Sequence, residues 1–100
     1  MYLQVYSQIQ TGTDFNNLGI GQYIVSSDAI ASTCINTPSP TAGQLIVCDN
    51  TGGYKNLTDV WAYRQQYFIT ASGNIWSRYM TTDGSAKLTV TSWRKLAYSS

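Results

Sequence analysis

Alternation of apolar and polar side chains with a period of two is the main pattern along the chain. Between Tyr2 and Ile9, aliphatic residues on one side alternate with tyrosine and glutamine on the other, which predicts a strand with one covered face. The same spacing predicts further strands over residues 21–25, 44–49, 60–70, 75–81 and 87–96. In 60–70 both sides carry large groups, so we expect both faces of this strand to be covered at least in part.

Turn-forming residues separate these strands. Asp14 before a short apolar spacing and Gly19 after it predict one helical turn that ends in a left-handed glycine. The residues Ser72–Asn74 predict a β-hairpin between two of the strands. The interval 26–43, which contains both prolines, predicts a surface loop with a short ordered piece around 29–35.

Composition agrees with a β-rich chain. The 100 residues include no glutamate and few lysines, whereas serine, threonine, glycine and tyrosine are frequent, which is typical of strands and turns rather than helices. The length suits one small domain. We therefore predict a mostly β fold, a small antiparallel sheet or sandwich with at most short helical turns.

The residue types present exclude most enzyme chemistry. With no histidine, the chain has no Ser-His-Asp or Cys-His arrangement and no histidine metal site. Its acidic groups are five aspartates scattered along the sequence, and no segment forces two of them together as glycoside hydrolysis requires. Cys34 and Cys48 are too few for a four-thiolate zinc site, and whether they pair is left open. We expect a protein that is not an enzyme, without catalytic residues, cofactor or metal.

Charge and hydropathy restrict the partners. The formal net charge of +1 provides no strongly basic surface for nucleic acid. The longest aliphatic run, Leu45–Cys48, is far shorter than the roughly 20 residues of a membrane span. The residues after Met1 do not have the pattern of a secretory signal. We expect no nucleic-acid partner, no membrane insertion and no signal-directed export.

Aromatic residues are frequent, at 13% of the chain with eight tyrosines. Tyrosine suits a half-wetted surface because its ring covers apolar area while its hydroxyl keeps a polar partner. Four aromatic residues in the predicted strands are expected to make core or subunit contacts: Trp61, Tyr63, Trp76 and Trp93. We expect Trp93 to anchor the last strand in the core. The alternative is that one or two of these rings are exposed and stack on a sugar.

A carbohydrate site needs a flat apolar ring and directional polar groups in one place. Tyr54 beside Asn56 in a loop is the first candidate for such a ring. The candidate glycan-binding residues are Tyr54, Asn50, Asn56, Asp59 and Asn36. For Arg78 we expect a structural pairing with a carboxylate, with binding of an acidic saccharide as the alternative.

The C-terminal third has a family resemblance. Its segments Gln66–Ile69, Ile75–Arg78 and Trp93–Leu96, with the turn Ser72–Asn74 between the first two, resemble the closing pattern of the knob domains of phage tail fibres and tailspikes and of the related pyocin fibres. Upstream, Asp14–Leu18 followed by Gly21–Val25 is similar to a segment of the same family. The resemblance covers most of residues 14–96. It departs at Val90, where the family often carries a second tryptophan.

This resemblance implies a fold, an assembly and a role. It implies a homotrimeric knob over residues 14–100, preceded over residues 1–13 by a strand, a linker or the end of an upstream fibre shaft. Met1 is then an internal start or the boundary of an expressed fragment. The implied role is a distal domain of a tail fibre or tailspike that binds a bacterial surface polysaccharide or lipopolysaccharide. The protein would be made in the host cytoplasm and reside in the virion.

Two other functions remain open on the sequence. One is a C-terminal trimerisation or folding module that registers three chains without binding a receptor of its own. It shares the fold of the receptor-binding domain and differs only in lacking a glycan site. The other is an enzyme acting on capsule, which requires that catalysis reside in an upstream region.

Overall fold

The computed structural model describes residues 6–51 and 56–96. These residues form short strands joined by turns, with very little helix. In chain order the elements are β1 (Tyr6–Gln8), a 3-10 helix (Phe15–Asn17), β2 (Gly21–Val25), α1 (Asp28–Ala31), β3 (Gly43–Asp49), β4 (Tyr63–Thr70), β5 (Ile75–Thr82), β6 (Leu88–Val90) and β7 (Arg94–Lys95).

The strands form one open sheet in the order β1-β2-β3-β4-β5-β6, and β7 also pairs with β5. β1 runs parallel to β2, and the other pairs are antiparallel. The parallel pair arises because residues 9–20 cross over one face of the sheet before the chain returns, as parallel strands require. The predicted mostly β fold is confirmed. The sheet is single and mixed, rather than a wholly antiparallel sheet or a sandwich.

One face of the sheet, which we call the covered face, carries the hydrophobic core. Leu45, Phe68 and Met80 are fully buried there. Phe15, from the crossover, packs edge-on against Phe68 with the two ring centroids 5.7 Å apart. The half-buried ring of Trp93 packs against the same core, so Trp93 does join the core as expected, although it is not enclosed by it.

The opposite face, which we call the open face, has no helix or strand packed over it within the described residues. The register of β2 to β5 aligns four side chains of this face in one row across the sheet. We call it the isoleucine row, and it consists of Ile24, Gln44, Ile69 and Ile75. Toward the other end of the same strands the face carries Tyr63 and Tyr79. Tyr63 and Ile69 are exposed, so within one chain β4 is covered on one face and not on both.

Turn chemistry was predicted well except at one glycine. The Asp14 side chain accepts a hydrogen bond from the Asn16 backbone N–H at 2.9 Å and caps the 3-10 helix. That helix ends at Leu18 in an extended conformation, so the predicted left-handed glycine at position 19 is wrong. The predicted hairpin after β4 is confirmed, and Gly73 supplies its left-handed residue with φ of 91°.

The last predicted strand, 87–96, is divided by a bulge. Met80 pairs with Val90, and Ser77 pairs with Arg94, so three steps along β5 face four steps along the partner chain. The extra residue turns Trp93 toward the covered face, which is how bulges commonly redirect a side chain. A period-two pattern cannot reveal such an insertion, because it assumes that every residue is paired.

A buried polar chain crosses the covered face. The Arg78 Nε–H donates to Gln66 Oε1 at 2.7 Å, and Gln66 Nε2 donates to the Phe15 carbonyl at 2.7 Å. The Arg78 guanidinium also lies over the Trp93 ring, 4.5 Å from its centroid. Burial lowers the pKa of Arg78 to about 10, and the nearby Asp14 charge opposes this. Arg78 is therefore structural, but its hydrogen bond goes to an amide rather than to the expected carboxylate.

Candidate functional site

The end of the sheet at which β3 and β5 finish and β4 begins presents an unusual tryptophan. Trp61 is 65% exposed, and its backbone is left-handed, with φ of 57°. For a bulky residue this conformation is a true outlier, and such outliers cluster at functional sites. The predicted strand 60–70 starts only at Tyr63, since a left-handed residue cannot continue a strand.

Neighbouring hydrogen bonds hold Trp61 in this conformation. The Trp61 N–H donates to the Asp83 carbonyl at 3.2 Å. Ala62, which is buried, donates its N–H to Thr82 Oγ1 at 2.8 Å and accepts the Thr82 N–H at 3.0 Å. The Thr82 hydroxyl in turn donates to the Asp59 carbonyl. The loop before β4 is thus tied to the end of β5 on both sides of Trp61.

The Trp61 ring lies against a glycine of the β5–β6 turn. A Cβ atom at Gly84 would lie 3.0 Å from the Trp61 ring, which is closer than ordinary van der Waals contact. The indole can occupy this position because residue 84 has no side chain. The Asp83-Gly84 turn signal is visible in the sequence, but the ring that rests on it is not. The ring therefore lies close to this turn, and it stays largely open to solvent.

A stacked tyrosine pair continues this surface onto the open face. The rings of Tyr63 and Tyr79 are 5.9 Å apart between centroids with an interplanar angle of 20°, and both are about two-fifths exposed, at 39% and 43%. They border a shallow depression of about 490 Å³. We call this depression the Trp61 surface, and its main lining residues are Trp61, Tyr63, Tyr79, Thr81, Asp83, Lys87 and Thr89.

Asp83 supplies an anionic acceptor at the rim of the Trp61 surface. Its Oδ1 accepts the backbone N–H groups of Lys87 at 2.9 Å and of Ser85 at 2.8 Å. These two hydrogen bonds, that of Lys87 first, lower the pKa of Asp83 below its usual value. The carboxylate therefore remains ionised and fixed in direction, as an acceptor for hydroxyl groups needs to be.

Three of the sequence-predicted site residues, Asn50, Asn56 and Asp59, lie in the β3–β4 connection and are not among the residues that line the Trp61 surface. The Asn50 backbone N–H donates to the Tyr63 carbonyl at 2.9 Å. The Asn56 N–H donates to Asp59 Oδ2 at 2.9 Å, and Asp59 is two residues before Trp61. Tyr54, the first candidate for a stacking ring, lies outside the described residues.

Asn36 is placed elsewhere. Its Nδ2 donates to Asp14 Oδ1 at 2.8 Å, and its carbonyl accepts the Trp93 Nε1–H at 2.9 Å. Asn36 has a left-handed φ of 61°, which asparagine tolerates. Asn36 thus links the α1–β3 connection to Asp14 in the crossover and to Trp93. It holds parts of the fold together and does not line the Trp61 surface.

Metal-binding and membrane-spanning features are not found in the part of the chain that the structure describes. No group of three or more cysteine, aspartate, glutamate or histidine side chains is placed to hold a metal ion among these residues. Cys34 and Cys48 are both free thiols. None of the helices within the described ranges has the length and apolar character that crossing a bilayer demands.

Two solved structures of pyocin fibres share this fold. The chain superposes on a Pseudomonas aeruginosa R1 pyocin fibre fragment comprising C-terminal residues 323–701, with a TM-score of 0.71 and 23% identity over 95% of this chain and 22% of that chain. It superposes on an N-truncated R2-type pyocin tail fibre with a TM-score of 0.71 and 18% identity, over 95% of this chain and 33% of that chain. No family model and no curated protein sequence matches.

These comparisons confirm the resemblance to pyocin fibres at the level of the fold. The likeness extends over 95% of the chain in both comparisons. The chain spans about a third or less of each fibre fragment that it matches. The domain thus corresponds in fold to one part of a longer fibre chain.

Proposed function

We propose that this chain is a distal domain of a phage tail fibre or tailspike and that it binds a bacterial surface polysaccharide or lipopolysaccharide through the Trp61 surface. The fold shared with C-terminal fragments of pyocin fibres supports the fibre assignment. The observation that supports binding is Trp61 itself, exposed and held in a left-handed conformation beside the stacked tyrosine pair. A virion location follows from this role.

The Trp61 surface offers the two properties that a sugar requires. The indole face and the tyrosine rings provide flat apolar area for the C–H side of a pyranose ring, and such aromatic groups dominate contact energetics. The Asp83 carboxylate and the hydroxyls of Thr81 and Thr89 provide directional partners for sugar hydroxyls. Because the loop is pinned before binding, little ordering entropy is lost when the ligand arrives.

Removing the ring without disturbing the backbone tests this proposal. We expect Trp61→Gly to reduce binding to arrayed bacterial polysaccharides and lipopolysaccharides at least tenfold, the equivalent of about 1.4 kcal/mol. The melting temperature should be little changed, because glycine adopts the left-handed conformation without strain. Trp61→Tyr, which keeps a flat ring, should retain part of the binding.

Ile35→Ala is the matched control, because Ile35 is 54% exposed and lies on the Asp14 side, away from the Trp61 surface. Its binding should equal that of the wild type. Unreduced binding by Trp61→Gly would move the site elsewhere. A wild-type protein that binds none of the arrayed bacterial glycans would count against the receptor-binding role itself.

The open face supports a second role, in which the domain brings three chains of a fibre together in register. The isoleucine row contains three aliphatic side chains and one amide, with no charged group. An uncovered row of this kind suits contact with identical copies, since no like charges meet across the contact. The homotrimer is part of the proposed fibre domain as well, and it is the whole function if the Trp61 surface binds nothing.

Light scattering tests the assembly. We expect a trimer mass at micromolar concentration for the wild type, and a monomer mass for Ile69→Lys, because this change places a buried charge in the proposed contact. Ile35→Lys is the control, since Ile35 is more exposed than Ile69, at 54% against 37%, and lies off the open face. A wild-type monomer would contradict the proposal, as would a trimer unaffected by Ile69→Lys.

A further inference from the structure

Beside the Trp61 surface, the open face has a second and larger cavity of about 580 Å³. It lies where the bulge separates β6 from β7. We call it the Arg94 cavity, and the residues that matter to its chemistry are Gln65, Tyr67, Ser77, Tyr79, Ser92 and Arg94. Tyr79 also borders the Trp61 surface, so the two depressions adjoin across one tyrosine.

The groups around the Arg94 cavity are mainly hydrogen-bond donors. Arg94 is fixed opposite Ser77 by the β5–β7 pairing, and no lining residue of the cavity is acidic. Gln65 Oε1 accepts a hydrogen bond from the Tyr67 hydroxyl, so the side-chain NH2 of Gln65 is the group that can donate to a ligand. A guanidinium, an amide NH2 and serine hydroxyls together match an anionic oxygen acceptor.

The spacing between the two depressions suits one extended ligand. The rows of Tyr67 and Tyr63 are four residues apart on β4, which is about 13 Å at a strand rise of about 3.3 Å per residue. A saccharide chain of more than one ring, stacked on the tyrosine pair, therefore reaches from Trp61 to Arg94. Both charged residues that line the Arg94 cavity, Arg78 and Arg94, are cationic, and Arg78 is already hydrogen-bonded to Gln66.

We propose that the Arg94 cavity binds an acidic substituent, a carboxylate or phosphate, of the glycan held on the Trp61 surface. This inference rests on the proposed receptor-binding function and names its ligand class as an acidic glycan. Arginine suits both substituents because its planar guanidinium can donate two hydrogen bonds to two oxygens of one carboxylate or phosphate. The cavity thus adds selectivity by charge to a surface that otherwise recognises ring shape.

Arg94→Gln tests the proposal directly. Glucuronate, glucose 6-phosphate and glucose are titrated in turn against 15N-labelled protein, following the amide signals of Ser77, Tyr79 and Arg94. We expect saturable shifts with at least one acidic probe, and which of the two acts distinguishes a carboxylate from a phosphate. The affinity for that probe should fall at least tenfold in Arg94→Gln, and glucose should not shift the Ser77 and Arg94 signals.

Lys95→Gln is the matched control. It removes the same charge from the next residue, but the Lys95 ammonium lies over the Trp76 ring, 5.9 Å from its centroid, on the covered face. Its titrations should match those of the wild type. Equal affinities in Arg94→Gln and the wild type would overturn the proposal, as would an absence of shifts with both acidic probes.

Failure of this inference is distinguishable from failure of the proposed function. If arrayed neutral glycans bind in a Trp61-dependent way while the acidic probes leave the Arg94 cavity unshifted, the receptor-binding role stands and the acidic ligand class is wrong. If no array spot binds and no probe shifts any signal, both are wrong.

Discussion

Gln66→Leu should destabilise the protein by about 3 kcal/mol or more, although leucine is the more hydrophobic residue and has a similar volume. Gln66 is fully buried and connects Arg78 Nε–H to the Phe15 carbonyl. Leucine leaves both groups buried without that partner, at about 1–3 kcal/mol each and more for the charged one. Urea unfolding at one fixed protein concentration measures the effect.

The sequence offers a matched control one residue away. Gln65→Leu makes the same chemical change on the open face, where the half-buried Gln65 side chain accepts a hydrogen bond from the Tyr67 hydroxyl. Its cost should stay within about 1 kcal/mol, because solvent can replace this bond. Adding Arg78→Met to Gln66→Leu should recover part of the loss, because it removes the uncompensated charge. Equal stability of Gln66→Leu and the wild type would show that Arg78 does not depend on this amide.

Trp93→Ala should cost about 3–5 kcal/mol, the range of aromatic-to-alanine changes in cores. The half-buried ring contributes apolar contact, but it also stacks on the Arg78 guanidinium at 4.5 Å and donates to the Asn36 carbonyl at 2.9 Å. At about 4–8 °C per kcal/mol, the melting temperature should fall by more than about 10 °C. Differential scanning calorimetry checks this.

Trp93→Phe separates the contributions of the ring and its N–H. Phenylalanine keeps an aromatic face for Arg78 but loses the hydrogen bond to Asn36 and part of the apolar ring area, so we expect a loss of about 1–2 kcal/mol, smaller than that of Trp93→Ala. An unchanged melting temperature in Trp93→Ala would mean that Trp93 is a surface residue, and its exposed edge would then have to be considered as a ligand contact.

The strands were predictable because their side chains alternate regularly. In β5, burial alternates along the strand, but the buried side includes Arg78 and Thr82 while Tyr79 is exposed, so the strand was predictable and the face that it buries was not. The capping role of Asp14 was predictable for a similar reason, since its hydrogen bond is to a backbone group two residues away. Local interactions of this kind are encoded by the residues that make them.

Features set by distant contacts were not predictable from the same pattern. Trp61 is left-handed against its own preference because Asp83 and Thr82, both more than twenty residues later, hold its loop. The sequence placed Trp61 in a strand and gave the exposed-ring role first to Tyr54. Arg78 was expected to meet a carboxylate, and only the fold shows that Gln66 lies opposite it in the adjacent strand.

The directions of β1 and β7 determine how tension passes through the domain. β1 pairs with β2 in the direction that leads to Ile24, and β7 pairs with β5 in the direction that leads to Ile75. Both strands therefore point toward the isoleucine row, one next to β2 and the other next to β5. Force between the segments before β1 and after β7 therefore pulls these strands along their own axes. Because ladder hydrogen bonds run across the strands, they bear this load in shear and together, rather than opening one at a time.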